Sequence, residues 1–273
     1  MGGMDEFLTS ADVAKLLGVG PTSVKRWADS GLLPCLRTPG KHRRFARDEV
    51  ERFRLRQREV HAPDPAQIDA WLRLIGEDCG PYEVHSAMLH DRSRLGSWWQ
   101  VSDLIAAVLT EMGERWRRGE WSVLQEHTAS ERLSRGVARC VESLAVSPNA
   151  PRCLLATAEG DEHTLGLLLA ELSLREHGWN SQWAGRVTPT QELIQRIESG
   201  GCDMLALSAA ENSTDAEKLR NQALTLASAC QAHEVSLVLG GRGLWPEPAP
   251  HLPPFQRVRD FREFHEMLAR VHE

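Results

Sequence analysis

Between residues 151 and 273, short apolar runs alternate with segments of helical periodicity, a pattern that few folds accept. Strand-length runs fall at Cys153–Ala158, Asn180–Ala184, Met204–Ser208 and Val235–Gly240, with a weaker one at Gln256–Val258. Helical spacing marks Leu165–His177, Pro189–Ser199, Ala216–His233 and Phe261–Val271. This alternation predicts an α/β domain, a doubly wound parallel sheet with helices on both faces. Open sheets of that kind take their ligands at the loops beyond the carboxyl ends of the strands.

The loop after the first run, Ala158–Gly166, carries Asp161-x-His163-x-x-Gly166. A metal-bound imidazole usually gives its second ring N–H to a carboxylate, which fixes tautomer and orientation. Asp161, two residues before His163, can be that carboxylate, and Gly166 leaves room where the helix begins. The trio points to a metal-centred cofactor. Zinc would want further Cys or His ligands nearby, and none stands close to His163. A phosphate loop of the P-loop type is missing, and no strand end offers the acidic phosphoacceptor of a receiver domain.

The amino-terminal part has a different character. Residues 1–60 hold 12 Lys and Arg against 8 Asp and Glu, whereas the remainder holds 20 against 30. A basic head on an acidic body suggests a polyanion as the head's partner. Thr9-Ser10-Ala11-Asp12 is a helix start, Gly18-Val19-Gly20-Pro21 a break, and Thr22 or Ser23 caps a second helix. That helix offers Thr22, Ser23, Lys25 and Arg26 to base edges and phosphates. Arg37-Thr38-Pro39-Gly40-Lys41-His42-Arg43-Arg44-Phe45 reads as a hairpin whose basic groups, Arg37, Lys41, His42, Arg43 and Arg44, suit phosphates. Residues 7–58 resemble the winged helix-turn-helix of the MerR/excisionase group. The resemblance implies a head that binds double-stranded operator DNA.

His61-Ala62-Pro63-Asp64-Pro65 has linker composition. Residues 66–146 lack strand-like alternation and predict a bundle of about four helices: one from Ile68, one near Val84–His90, a long one at Val101–Trp116 and a last one at Ser130–Leu144. Trp116 precedes Glu126-His127 at the start of the last helix. Six cysteines without framework spacing, and no secretory apolar segment, predict reduced thiols in a cytoplasmic protein without a membrane span.

Trp116-x9-Glu126-His127 resembles the signature of the helical cap in CarH-type, light-responsive regulators that use cobalamin. Residues 151–273 resemble the Rossmann-like cobalamin-binding module of methionine synthases, mutases and their regulators. The resemblance implies His163 as the lower cobalt ligand, Asp161 as its partner, and Gly166 as room for the cofactor's tail. It implies Ser208, Gly240 and Gly241 along that tail, with Thr188-Pro189 at the usual place after the second strand. Trp116, Glu126 and His127 then shelter the upper axial group of adenosylcobalamin or methylcobalamin. In well-known members a His follows the cap Trp; here Arg117 stands there.

The expected organisation is a multidomain chain: a winged head over 1–60, a linker over 61–66, a four-helix-bundle cap over 67–148 and the cobalamin domain over 149–273. The expected function is regulatory rather than enzymatic. It is a repressor that binds DNA as a cobalamin-loaded homo-oligomer, dimer or tetramer, and is released when light breaks the Co–C bond. A light-independent cobalamin sensor and a corrinoid methyl carrier are the alternatives; the winged head argues against the carrier.

Overall fold

The computed structural model describes residues 7–17, 21–38, 40, 42–60, 63–77, 79–211 and 215–271. The chain divides into two compact units, Met1–Asp64 and Pro65–Glu273. Among the described residues, no helix is long and apolar enough to cross a membrane.

In the first unit β1 (Phe7–Leu8) leads into α1 (Ser10–Leu17) and α2 (Pro21–Asp29). Then come β2 (Leu36–Arg37), β3 (Arg43–Ala46) and α3 (Arg47–Val60). Thr9 and Asp12 cap α1 reciprocally: Thr9 N–H donates to Asp12 Oδ2 at 2.9 Å and Asp12 N–H to Thr9 Oγ1 at 3.2 Å. β3 is the centre of an antiparallel sheet in the order β1-β3-β2, with Leu8 opposite Phe45 and Arg37 opposite Arg43. Val13, Val24, Leu33, Phe45, Val50 and Phe53 form the core beneath it.

The second unit opens with four helices, α4 (Pro65–Gly76), α5 (Pro81–Leu95), α6 (Trp98–Arg117) and α7 (Val123–Ser143). α4 begins inside the stretch with linker composition. α7 begins well before Ser130, because Ser122 and Gln125 form a capping box: Ser122 Oγ accepts from Gln125 N–H and Gln125 Oε1 accepts from Ser122 N–H.

The rest alternates as β4 (Arg152–Thr157), α8 (Leu165–Glu176), β5 (Asn180–Trp183), α9 (Thr190–Glu198) and β6 (Met204–Ala209). α10 (Ala216–Ala232), β7 (Ser236–Gly241), β8 (Gln256–Arg257) and α11 (Phe261–Val271) complete it. The strands are all parallel, in the order β5-β4-β6-β7-β8. Side chains alternate across them. Leu154, Ala156, Leu205 and Leu207 pack with α9 and α10, whereas Cys153, Leu155, Met204 and Ala206 pack with α8 and α11. This is the doubly wound sheet that the alternation predicts.

α8 packs against both the sheet and the bundle. α8 sends Leu169 and Leu172 into the cluster formed by Trp71, Leu104, Ile105, Leu133 and Val137. Polar bonds close the same seam: Ser102 Oγ donates to the Leu169 carbonyl at 3.2 Å, and Phe261 N–H to Asp103 Oδ1 at 3.0 Å. The expected boundary near residue 148 is thus crossed by continuous packing. The six cysteines are thiols, none in a disulfide, and burial pushes those of Cys140 and Cys230 up to about 12, which makes these two inert core residues.

Candidate cofactor crevice and nucleic-acid interface

The strand order reverses between β4 and β6, so the loops that leave their carboxyl ends diverge around an opening. Asp161, in the loop after β4, bridges that opening. It is 0% exposed. Its Oδ1 accepts from His163 N–H at 2.7 Å and lies 2.8 Å from His163 Nδ1; its Oδ2 accepts from Ala210 N–H, just beyond β6. An acceptor-only carboxylate at Nδ1 makes that nitrogen the proton-bearing one in the neutral ring, which leaves the lone pair on Nε2. The His163 side chain is 74% exposed, so Nε2 is open to a ligand. The imidazole is held above its ordinary pKa, first by the hydrogen bond to Asp161 and then by the charges of Asp161, Glu126 and Glu162, against partial burial.

The contribution of Glu126 brings the first turn of α7 close to this loop. Glu126 is itself oriented by Ser130, whose Oγ donates to Oε1 at 2.7 Å, and His127 Nε2 lies 3.6 Å from its Oε2. Trp116 closes α6 with 48% exposure, unusually open for an indole at a helix end. The turn below it is fixed by Glu120 N–H and Trp121 N–H on the Arg115 carbonyl and by Gly119 in the left-handed region at φ +74°. Arg118 binds Glu111 and Glu120, and holds both carboxyls below their usual range. Arg117 is tied back to Glu114 in an ion pair.

On the other side of the crevice, Ser208 pairs in register with Gly240, and Ala209 with Gly241. Gly241 has φ +78°, and a Cβ there would lie 2.3 Å from the Ala209 carbonyl oxygen and 2.8 Å from Ser208 Oγ. Only glycine fits that position. A Cβ on Gly166 would lie 3.7 Å from Ser208 Oγ, so the missing side chain keeps the space before Ser208 clear. Thr188 Oγ1 donates to the Ala184 carbonyl at 2.8 Å. Ala210 is a contributor that spacing along the chain does not reveal, because it reaches the His163 loop only through the tertiary fold.

Among the described residues, no group of three or more His, Cys, Asp or Glu side chains could hold a metal ion. A metal seated on His163 would take a single protein ligand and need its remaining donors from a macrocycle. One exposed ring nitrogen, a buried carboxylate behind it and glycines at 166, 240 and 241 beside Ser208 suit a corrinoid.

In the head, Thr22, Lys25 and Arg26 are exposed along α2, while the Ser23 side chain and Lys41 lie outside the described residues. Arg37 and His42 are exposed on the hairpin, and Arg43 and Arg44 are half-buried. Asp29, at the end of α2, accepts from Arg43 at 2.6 Å and from Arg37 at 3.0 Å. These bonds, that of Arg43 foremost, hold the Asp29 carboxyl below its usual range. The hairpin is thereby latched to the helix that precedes it. Its tip is closed by Thr38, whose N–H donates to the His42 carbonyl at 2.9 Å.

Comparisons with known proteins agree with both regions. A helix-turn-helix domain family matches residues 7–58, and two B12-binding domain families match residues 151–250 and 101–140. The HTH-type transcriptional repressor CarA of Myxococcus xanthus is 26% identical over 223 residues, which cover 72% of this chain and 74% of that protein. CarH, the HTH-type repressor of the same organism, is 32% identical over 108 residues, or 39% of this chain and 35% of that protein. The structure of the Methanosarcina barkeri monomethylamine corrinoid protein aligns with a TM-score of 0.57 at 14% identity, covering 78% of this chain and 99% of that one, a likeness of fold. Cobalamin, with its cobalt, is the cofactor of this second unit. The chain is a helix-turn-helix protein with a B12-binding domain, homologous at modest identity to the Myxococcus repressors CarA and CarH.

Proposed function

We propose that the chain is a cobalamin-dependent transcriptional repressor of the CarH type, acting in the cytoplasm as a homo-oligomer rather than as an enzyme. The observation that carries this reading is the His163–Asp161 pair at the sheet's switch point, in a chain that begins with a basic winged head. His163 offers Nε2 as the lower ligand, and Asp161 holds the neutral tautomer and raises its basicity. Gly166, Ser208, Gly240 and Gly241 line the channel for the cofactor's tail. Trp116, Glu126 and His127 shelter the upper axial group. Bound adenosylcobalamin would supply a cobalt–carbon bond that light can break.

The rest of the action belongs to the protein. Trp116 and the first turn of α7 register whether the upper group is present, and α7 passes that state into the core it shares with α8. Among the described candidates, one head presents to phosphate Lys25, Arg26, Arg44 and the latched Arg37 and Arg43. Tight operator binding therefore needs several heads in one assembly. Gel filtration and operator-DNA shift assays of adenosylcobalamin-loaded protein, before and after green light, test the proposal. Smaller particles and released DNA are expected after light. Unchanged elution and an unchanged shift overturn the light step.

One observation favours a second reading. Arg117 occupies the position after Trp116 and is paired with Glu114, so no imidazole stands there to take the upper face after photolysis. A regulator that senses cobalamin itself, methylcobalamin included, fits that substitution. DNA binding that depends on added cobalamin but is indifferent to light selects it.

A further inference from the structure

Glu159, Thr190 and Gln222 form a closed hydrogen-bonded ring drawn from three different elements. Glu159 N–H donates to Gln222 Oε1 at 3.1 Å, Gln222 Nε2 donates to Thr190 Oγ1 at 3.0 Å, and Thr190 Oγ1 donates to Glu159 Oε2 at 2.7 Å. Gln222 and Thr190 each receive and give through one amide or one hydroxyl, so those bonds polarise one another. At Glu159 the ring closes through the residue itself, which receives on its carboxylate and gives from its main-chain N–H. Glu159 opens the loop that carries Asp161 and His163. Thr190 is the first residue of α9, where a carboxylate is also favoured by the helix dipole. Gln222 is a buried polar residue of α10, 8% exposed.

The ring has a counterpart on the opposite side of the same loop. Asp161 anchors the loop's middle to Ala210 after β6, and Val187, after β5, is held by its N–H on the buried Thr157 hydroxyl at 3.2 Å. Val187 is a β-branched residue at φ 53°, a costly conformation that persists only where neighbours dictate it. The loops after β4, β5 and β6 are thus tied to one another by side-chain bonds around the switch point. His163 itself has an exposed ring and two bonds, both to Asp161. Its position therefore depends on where the loop backbone is held, upstream as well as at Asp161.

We propose that the Glu159–Thr190–Gln222 ring is the positioning element of the His163 loop, setting the place of the imidazole without touching the cofactor. This rests on the reading of His163 as the lower ligand. The test uses the full chain loaded with methylcobalamin in the dark, in the variants Glu159→Ala, Glu159→Gln, Thr190→Val and His163→Ala. The readouts are the visible absorption band that reports histidine ligation, and the rate of cofactor loss. Thermal unfolding of the cofactor-free proteins serves as a check on folding.

Glu159→Ala and Thr190→Val are expected to shift the band toward that of His163→Ala and to speed cofactor loss by about tenfold, the low end for a residue that orients a metal ligand. Glu159→Gln keeps an acceptor for Thr190 and is expected to restore the band. Thr190→Val also serves if Glu159→Ala fails to fold. If His163→Ala changes the band while Glu159→Ala and Thr190→Val leave band and off-rate as in the natural chain, the ring has no positioning role. If His163→Ala leaves the band unchanged, the ligand assignment falls and the ring proposal with it.

Discussion

Asp161 has both oxygens committed: Oδ1 to two groups of His163 and Oδ2 to Ala210 N–H. An Asn there keeps one acceptor oxygen and turns its own buried NH2 toward one of these donors. Asp161→Asn is expected to cost about 1–3 kcal/mol in urea unfolding of the cofactor-free protein, the usual penalty for an unsatisfied buried group. It should also weaken cobalamin binding about 10- to 100-fold in titration. The raised pKa of His163 gives a further expectation. A raised pKa contributes stability that is fully present below the ordinary value of about 6.5 and is lost as pH rises through the elevated one. Cobalt takes the neutral ring, so affinity should decline as pH falls through that same elevated value. Titrations across pH should show this slope, and His163→Ala should abolish it. The Asp161–His163 pair was legible because both residues share one short loop. Ala210 and the latch of Asp29 on Arg37 and Arg43 were not, since nothing local to those residues tells where the chain will bring them.

Among the elements, the parallel sheet was read nearly to the residue, because strands buried on both faces leave continuous apolar runs. The bundle was read less well. The apolar stripe of α7 begins in earnest at Ala129 and Leu133, whereas its first turns expose Val123 and Leu124, so periodicity alone starts the helix late. The capping box at Ser122 was the signal that would have placed it. The crossing of α5 and α7 depends on Gly136, where a Cβ would lie 2.2 Å from Val84 Cγ1 and 2.7 Å from its Cβ. Gly136→Ala is therefore expected to cost about 1–3 kcal/mol despite its gain in helix propensity. Val84→Ala in the same chain should recover part of that loss, a coupling that a double-mutant cycle in urea measures. In the head, Arg26 is exposed on α2 and Arg43 is bound to Asp29. Arg26→Ala should weaken binding to any DNA sequence and lower the log–log salt slope by about one, with the head's unfolding unchanged.

At the scale of the molecule, the second unit behaves as one body because α8 belongs to both the sheet and the bundle. The seam is closed by Glu176 at the end of α8, which accepts from Trp98 N–H at the start of α6 at 3.1 Å and from Arg92 at 2.8 Å. Beside it, α11 contributes His265, which stands edge-on to His177 with ring centroids 4.7 Å apart and lies 5.7 Å from the Trp99 ring. His265 Nδ1 is buried and has no hydrogen-bond partner among the described residues. Burial, and then the nearness of His177, depress the His265 pKa, with Glu176 opposing. The sign follows from linkage: the unfolded chain takes up a proton near pH 6.5 that the folded seam resists. The stability of the second unit should therefore decline as pH falls below about 6.5 toward the depressed value. His265→Phe keeps a ring against Trp99 and removes both the unpaired nitrogen and the charge. It should leave stability at neutral pH equal or higher and flatten the acid limb. Because this seam joins bundle to sheet, urea unfolding followed at pH 5 and pH 7.5 should show the difference in a single transition; an equally steep acid loss in the variant would assign it to other groups.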